Sequence, residues 1–445
     1  MAFGEAMMGV ASPSAIRGRL VWFEGDPAEN GSAAIRDVED GLVVVEDGRI
    51  AAVGAHADLA RTLPEGAEVA DHRGCLVMPG FIDTHIHFPQ TQVIASYGAQ
   101  LLEWLQKYTF VEEQKYGDPV HAAAGAAFFL DELLRNGTTT AVVYCSVHPQ
   151  SAEAFFTAAR ARRLRMIAGK VMMDRNAPPA LTDTPERGYR ESKALLERWH
   201  GVDRLGYAIT PRFALTSTDA QLEAAGTLAR EHPECWMQSH LSENRNEIAT
   251  ALSLYPTARD YTDIYDRFGL LGPKSIYGHC IHLSEREMAR LSESRSVAGF
   301  CPTSNLFIGS GLFDMAAMRD PRRPVRVSLA TDVGGGTSYS MLQTAAEAYK
   351  VLQLKGQNLP SPQAFYLKTL GNARALGLEH AIGRLSTGLE ADLVVLDPAA
   401  TPAMAHRMAT IDGDLAETLF VLMTMGDDRA VRASYVLGAR ASPRI

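Results

Sequence analysis

The chain has 445 residues, 46% of them hydrophobic and 21% charged, the make-up of a globular protein with room for a large domain and a smaller one. Its 43 Lys and Arg against 52 Asp and Glu leave a net charge of −9. That balance excludes a surface built to neutralise a nucleic-acid backbone or an anionic membrane. Five scattered cysteines (Cys75, Cys145, Cys235, Cys280 and Cys301), with no C-x-x-C pair, exclude a disulfide framework and point to reduced thiols in a cytoplasm.

In chain order, the first residues carry Glu5 and no basic stretch before a long apolar core, so no secretory signal is expected there. Arg19-Leu20-Val21-Trp22-Phe23 reads as a short strand. Two further strands, 41–46 and 49–53, flank Asp47-Gly48, a strong hairpin signal. Apolar β-runs then recur at 76–87, 138–145, 165–174, 205–213, 235–243, 275–282, 296–305 and 325–332. Helical patterns fall between most of them, among them 119–136, 151–163, 219–232 and 285–294. The longest apolar-or-glycine run near the front, 122–130, is too short to span a bilayer. Strand patterns return at 391–397 and 430–438, and neither end has enough strands for a sheet alone. The expected fold is α/β: a (β/α)8 TIM barrel over 76–375, with a small discontinuous β-sandwich domain built from 1–75 and 376–445. A doubly wound open sheet is the alternative, but it would advertise a Gly-rich phosphate loop. Gly334-Gly335-Gly336 has neither the spacing nor the lysine of one.

Chemistry gathers at the ends of these runs. In Met78-Pro79-Gly80-Phe81-Ile82-Asp83-Thr84-His85-Ile86-His87 the two histidines are two residues apart, so on a strand they aim at one point, as two ligands of one ion must. His240 ends the fifth run, His279 lies near the end of the sixth, and Asp332 ends the eighth. A barrel carries its catalytic groups at that rim. Imidazoles with one carboxylate suit Zn²⁺, with Fe²⁺ as second choice, and the ion activates a water molecule. Glu243, three residues past His240, suits a general acid/base. His121, His148, His200, His232 and His380 lie away from the strand ends and read as structural; His282 is a weak candidate. Zinc deaminases built on H-x-E and P-C-x-x-C are excluded, because that cysteine pair is missing.

These residues resemble the amidohydrolase superfamily from Met78 to Asp332, and within it the guanine deaminases. The more specific segments are His87-Phe88-Pro89-Gln90, Thr210-Pro211-Arg212-Phe213 and His240-Leu241-Ser242-Glu243-Asn244; Cys301-Pro302-Thr303-Ser304-Asn305-Leu306 also carries the resemblance. The resemblance implies one zinc per chain on His85, His87, His240 and Asp332. It implies that Gln90, Arg212 and Phe213 bind a purine, alongside His240, Glu243 and Asp332. It makes Glu243 the proton shuttle and gives catalytic roles to His279 and Asp332, with a distant fifth-ligand position as the other reading of His279. Binuclear relatives place a carbamylated lysine on the fourth strand; 205–213 contains none, and Lys170 is on the third run, which favours one metal. The implied activity is hydrolytic deamination of guanine to xanthine and ammonia, by a cytoplasmic homodimer with no nucleic-acid polymer or membrane partner. Alternatives are deamination of a pterin, triazine, adenosine-type or cytosine ring, or a metal-free scaffold.

Overall fold

The computed structural model describes residues 15–98 and 100–441. The reading of the extreme N-terminus as lacking a secretory signal falls mainly on residues 1–14, outside the described residues. The chain divides into two compact units. Among the described residues, one contains 15–82 together with Leu133–Thr139 and 361–441; the other lies within Asp83–Glu132 and Thr140–Pro360.

The first unit is built on a seven-stranded sheet fed by both ends of the chain. From one edge to the other its strands are Ala439–Arg440, Val431–Val436, Leu393–Leu396, Val69–Pro79, Ala15–Phe23, Ile35–Glu46 and Arg49–Ala55. All pairings are antiparallel except that between Ala15–Phe23 and Val69–Pro79. The Asp47-Gly48 hairpin forms as expected, with both residues at positive φ (49° and 79°), the geometry that matches strand twist in a two-residue turn. Ile16, Leu20, Val43, Val77, Val395 and Tyr435 bury their side chains in one core. Where a sandwich implies two separate layers, hydrogen bonding here runs unbroken through all seven strands.

Eight parallel strands follow each other around the barrel in sequence order: Phe81–His87, Thr138–Tyr144, Arg165–Gly169, Gly206–Pro211, Trp236–Leu241, Ser275–His279, Val297–Phe300 and Arg326–Leu329. Backbone bonds from the Asp332 N–H to the His85 carbonyl (2.9 Å) and from the His87 N–H to the Val333 carbonyl (2.8 Å) join the last strand's exit to the first strand. The helices come where the 3.6-residue pattern places them, for example Pro119–Arg135, Asp219–Glu231 and Glu285–Ser294. Thr218 and Ser284 cap the last two with side-chain oxygens.

Three runs differ from their sequence patterns. The first, 76–87, is two strands. Val69–Pro79 belongs to the seven-stranded sheet, and the barrel strand begins only at Phe81. Gly80 is the joint: a Cβ there would strike the Thr139 side chain, so the chain passes only as glycine. The third run breaks at Lys170 into Arg165–Gly169 and Val171–Met172. The seventh stops at Phe300, because Pro302 opens the helix Pro302–Phe307.

Candidate active site

The first, fifth and sixth barrel strands and the turn after the eighth deliver His85, His87, His240, His279 and Asp332 to one rim. One ligating atom from each of His85, His87, His240 and Asp332 lies within 4.8 Å of the others, and all four residues are buried. His87 Nε2 and His240 Nε2 are 3.1 Å apart. His85 Nε2 and His87 Nε2 each lie 3.4 Å from Asp332 Oδ1. Among the described residues, both ring nitrogens of His85 and Nδ1 of His87 are buried without a hydrogen-bond partner in good geometry. Buried polar atoms left in this state call for a ligand. His240 Nδ1 faces the Arg212 carbonyl at 2.7 Å, which can only accept, so the proton sits on Nδ1 and the Nε2 lone pair points into the cluster. A divalent ion that takes nitrogen and carboxylate ligands fits this donor set.

Electrostatics favour the same reading. Burial pushes the His87 imidazole down to about 4 against the pull of Asp332. Burial, reinforced by the neighbouring His85, His87 and His279, holds His240 well below its ordinary value. Both rings are therefore neutral near pH 7, as metal ligands must be. Burial would raise Asp332, but the adjacent His85 and His87 outweigh it and hold the carboxyl well below the usual range. A second grouping, His279 with Cys301 and Asp332, also lies close. Burial raises the Cys301 thiol well above its ordinary value, so it is a poor ligand beside the histidine set.

His279 stands at the edge of the cluster. Its Nε2 is 3.7 Å from Asp332 Oδ2 and 3.3 Å from Glu243 Oε2, and its Nδ1 faces Asn305 Oδ1 at 2.9 Å. Glu243 is buried just past the end of the fifth strand, and burial together with the Asp332 charge pushes it up to about 8. A carboxyl in that state holds a proton near neutrality and can give it up, which is what a general acid/base needs. Backbone strain concentrates here: Ser242, His279, Cys280 and Asp332 all have φ between 51° and 72°. Non-glycine residues adopt that region where surrounding structure forces it, commonly at functional sites.

Beside the cluster opens a narrow slot of about 30 Å³. Gln90, Arg212, Phe213, Glu243 and His279 line it, so the structure brings together every residue singled out for substrate contact. Leu101, Trp104, Leu105 and Ile308 supply apolar wall. Arg212 is not a free fork. Its Nη1 bonds both oxygens of Glu113 at 2.9 and 2.7 Å, and its guanidinium lies over the Phe110 ring. The same Glu113 accepts from Gln90 Nε2 at 2.9 Å, while the Gly334 N–H donates to Gln90 Oε1 at 3.2 Å. Glu113 therefore ties together the Gln90 and Arg212 side chains that line the slot, and sequence reasoning missed it.

Two more residues escaped the sequence reading. Tyr144, on the second strand, stacks on His87 with centroids 4.3 Å apart and touches His85 and His240 edge-on or tilted. Asp83 accepts from the Thr331 hydroxyl and from the backbone N–H groups of Thr331 and His85, which ties the first strand to the turn carrying Asp332. Lys170 is buried against Asp183 at 2.6 Å, away from the cluster. His121, His148, His200, His232 and His380 lie outside it, as expected.

The model of the amidohydrolase family matches residues 76–438. The chain is 48% identical over 434 residues to the guanine deaminase of Escherichia coli K12, covering 97% of this chain and 98% of that one. The solved structure of the E. coli enzyme superposes with a TM-score of 0.94, covering 96% of this chain and 99% of the other. The C. acetobutylicum guanine deaminase, solved with guanine in its active site, is 28% identical and superposes with a TM-score of 0.85, over 96% of this chain and 99% of that one.

Proposed function

This chain belongs to the amidohydrolase family, and from that premise we infer that it catalyses the zinc-dependent hydrolytic deamination of guanine to xanthine and ammonia. One observation carries the reading. A four-ligand cluster opens on a slot whose polar edge is Gln90, Glu113 and Arg212 and whose aromatic face is Phe213, in a chain sharing 48% of its residues with the E. coli enzyme.

His85, His87, His240 and Asp332 hold one zinc ion. When bound there, it supplies Lewis-acid activation of water. Phe213 offers its ring face to the flat purine. Gln90 and Arg212 read the purine's amide-like edge by paired hydrogen bonds, with Glu113 fixing their orientation. Asp332 accepts a proton from the attacking water. Its oxygen bonds to the ring carbon that bears the amino group, and Glu243 protonates the adjacent ring nitrogen. His279, between Glu243 and Asp332, stabilises the charge that develops at the tetrahedral carbon. Glu243, now a carboxylate, takes the remaining proton of the new hydroxyl and passes it to the departing amino group; the C–N bond breaks, ammonia leaves, and the proton held by Asp332 returns to Glu243. The water oxygen remains on the ring as the new carbonyl of xanthine.

The enzyme is further proposed to be a cytoplasmic homodimer. The five cysteines are all free and buried, which supports a reducing compartment. Val120 and Phe128, two helical turns apart on Pro119–Arg135, are 77% and 54% exposed and support a covered face. No helix among the described residues is long and apolar enough to cross a membrane. The deciding assay incubates zinc-loaded protein with guanine and separates the products by chromatography. Xanthine and ammonia in equal amounts are expected; their absence overturns the assignment.

A further inference from the structure

Glu243 is steered by more than its own strand. Its Oε1 accepts a hydrogen bond from the Ser310 hydroxyl at 2.9 Å, while Oε2 faces His279 Nε2 at 3.3 Å. His279 Nδ1 meets Asn305 Oδ1 at 2.9 Å, and the Asn305 carbonyl accepts the backbone N–H of Ser310 at 2.8 Å. Glu243, His279, Asn305 and Ser310 thus form a closed ring of contacts around the carboxyl group.

Ser310 is placed deliberately. It is buried in the turn after the helix Pro302–Phe307, between Gly309 (φ 66°) and Gly311 (φ 141°). Only glycine adopts the second of these without strain, so the chain reverses there and turns the serine inward. From the other side, His282 Nε2 donates to the Ser310 carbonyl at 2.8 Å. A Cβ on Gly311 would come within 3.1 Å of the His282 ring, so glycine also lets that imidazole approach. A carboxyl that trades protons with a ring nitrogen must present one oxygen in one direction. Left to itself, the terminal torsion of a glutamate is broad.

We propose that Ser310 is a positioning residue for Glu243: its hydroxyl, set by the Gly309–Gly311 turn and braced by His282, holds the Glu243 carboxyl in the orientation that transfers protons to the substrate. The proposal rests on the reading of the chain as a guanine deaminase.

The test compares zinc-loaded wild type, Ser310→Ala, Glu243→Gln, the double variant and His282→Ala, measuring kcat and KM for guanine together with zinc content. Ser310→Ala is expected to lower kcat about tenfold with KM changed by less than about twofold and zinc retained, the signature of an interaction used only in the transition state. In the Glu243→Gln background the same change has no further effect, because the group it orients no longer carries protons. If Ser310→Ala does not fold, His282→Ala carries the test, with kcat down about threefold at constant KM. Wild-type kcat in whichever of these variants is scored, a loss confined to KM, or an equal loss with and without Glu243 overturns the proposal. A wild-type enzyme that makes no xanthine overturns the functional assignment instead, so the two failures are distinguishable.

Discussion

Glu243 lies between a hydroxyl donor and an imidazole, and burial beside Asp332 holds it protonated near neutrality. Glu243→Gln keeps the shape and removes the proton. We expect kcat to fall at least ~10²-fold, the usual contribution of a general acid/base, with zinc content unchanged. Wild-type turnover in this variant would remove Glu243 from the mechanism. Glu113 and Arg212 predict a different signature. Arg212→Ala removes a reader, and Glu113→Gln sets an amide N–H against the N–H groups of Arg212 or Gln90, so each raises KM for guanine more than it lowers kcat. A collapse of kcat at constant KM in either would contradict a recognition role. His85, His87, His240, Asp332 and Glu243 were legible in the sequence because a strand's two-residue period and a barrel's rim assign direction to a residue from its place in the run. Glu113 was not. It follows Phe110-Val111-Glu112 on a short helical turn, where a solvated acid reads the same; only the fold brings Arg212, 99 residues on, against it.

His279, which ends the sixth strand, and Asp332, in the turn after the eighth, both take left-handed backbone, with φ of 72° and 51°. The apolar β-runs located all eight barrel strands but not their ends. In 76–87 the apolar run continues across Gly80 although the chain changes sheets there, and in 296–305 it continues into a helix opened by Pro302. Composition cannot mark such a change; the Thr139 side chain packed against Gly80 and Pro302 at the start of a helix make it. The helix Arg245–Leu254 shows how an element's start reaches the site. Glu247 closes its capping box, accepting the N–H groups of Glu243 and Asn244 at 2.8 and 3.0 Å, and Tyr261 donates to it as well. Burial, aided by the nearby Glu243, nevertheless pushes Glu247 from its ordinary 4.5 up to about 7. The folded state therefore keeps a proton that the unfolded chain releases. The stability linked to it is complete below about pH 4.5 and is lost as pH rises through 7. Glu247→Gln cannot titrate, so its unfolding midpoint should fall less than that of wild type between about pH 5 and pH 8. Parallel curves for the two proteins would show that Glu247 is ionised throughout.

Across the whole molecule, the proposed ligands come from positions 85, 87, 240 and 332, and no short segment of the chain holds enough of them to bind an ion tightly. The barrel must therefore close before the site exists. Backbone bonds between His85, His87, Asp332 and Val333 make that closure, and Asp83 with Thr331 reinforces it from beneath. Zinc bound to the folded chain alone adds stability by mass action, about 4 kcal/mol when free zinc stands a thousandfold above its Kd. It also gives a bond to the His85 ring, whose two nitrogens are otherwise buried without hydrogen-bond partners. Stripping the ion with a chelator should therefore lower the unfolding temperature by several degrees and abolish turnover together, and added zinc should restore both. Replacing Asp332 by Asn should reproduce the lower unfolding temperature and make it insensitive to chelator, since one ligand charge is gone. A midpoint that stays put after the metal has been shown to leave would mean that the four side chains hold the rim closed on their own, and the ion serves the chemistry alone.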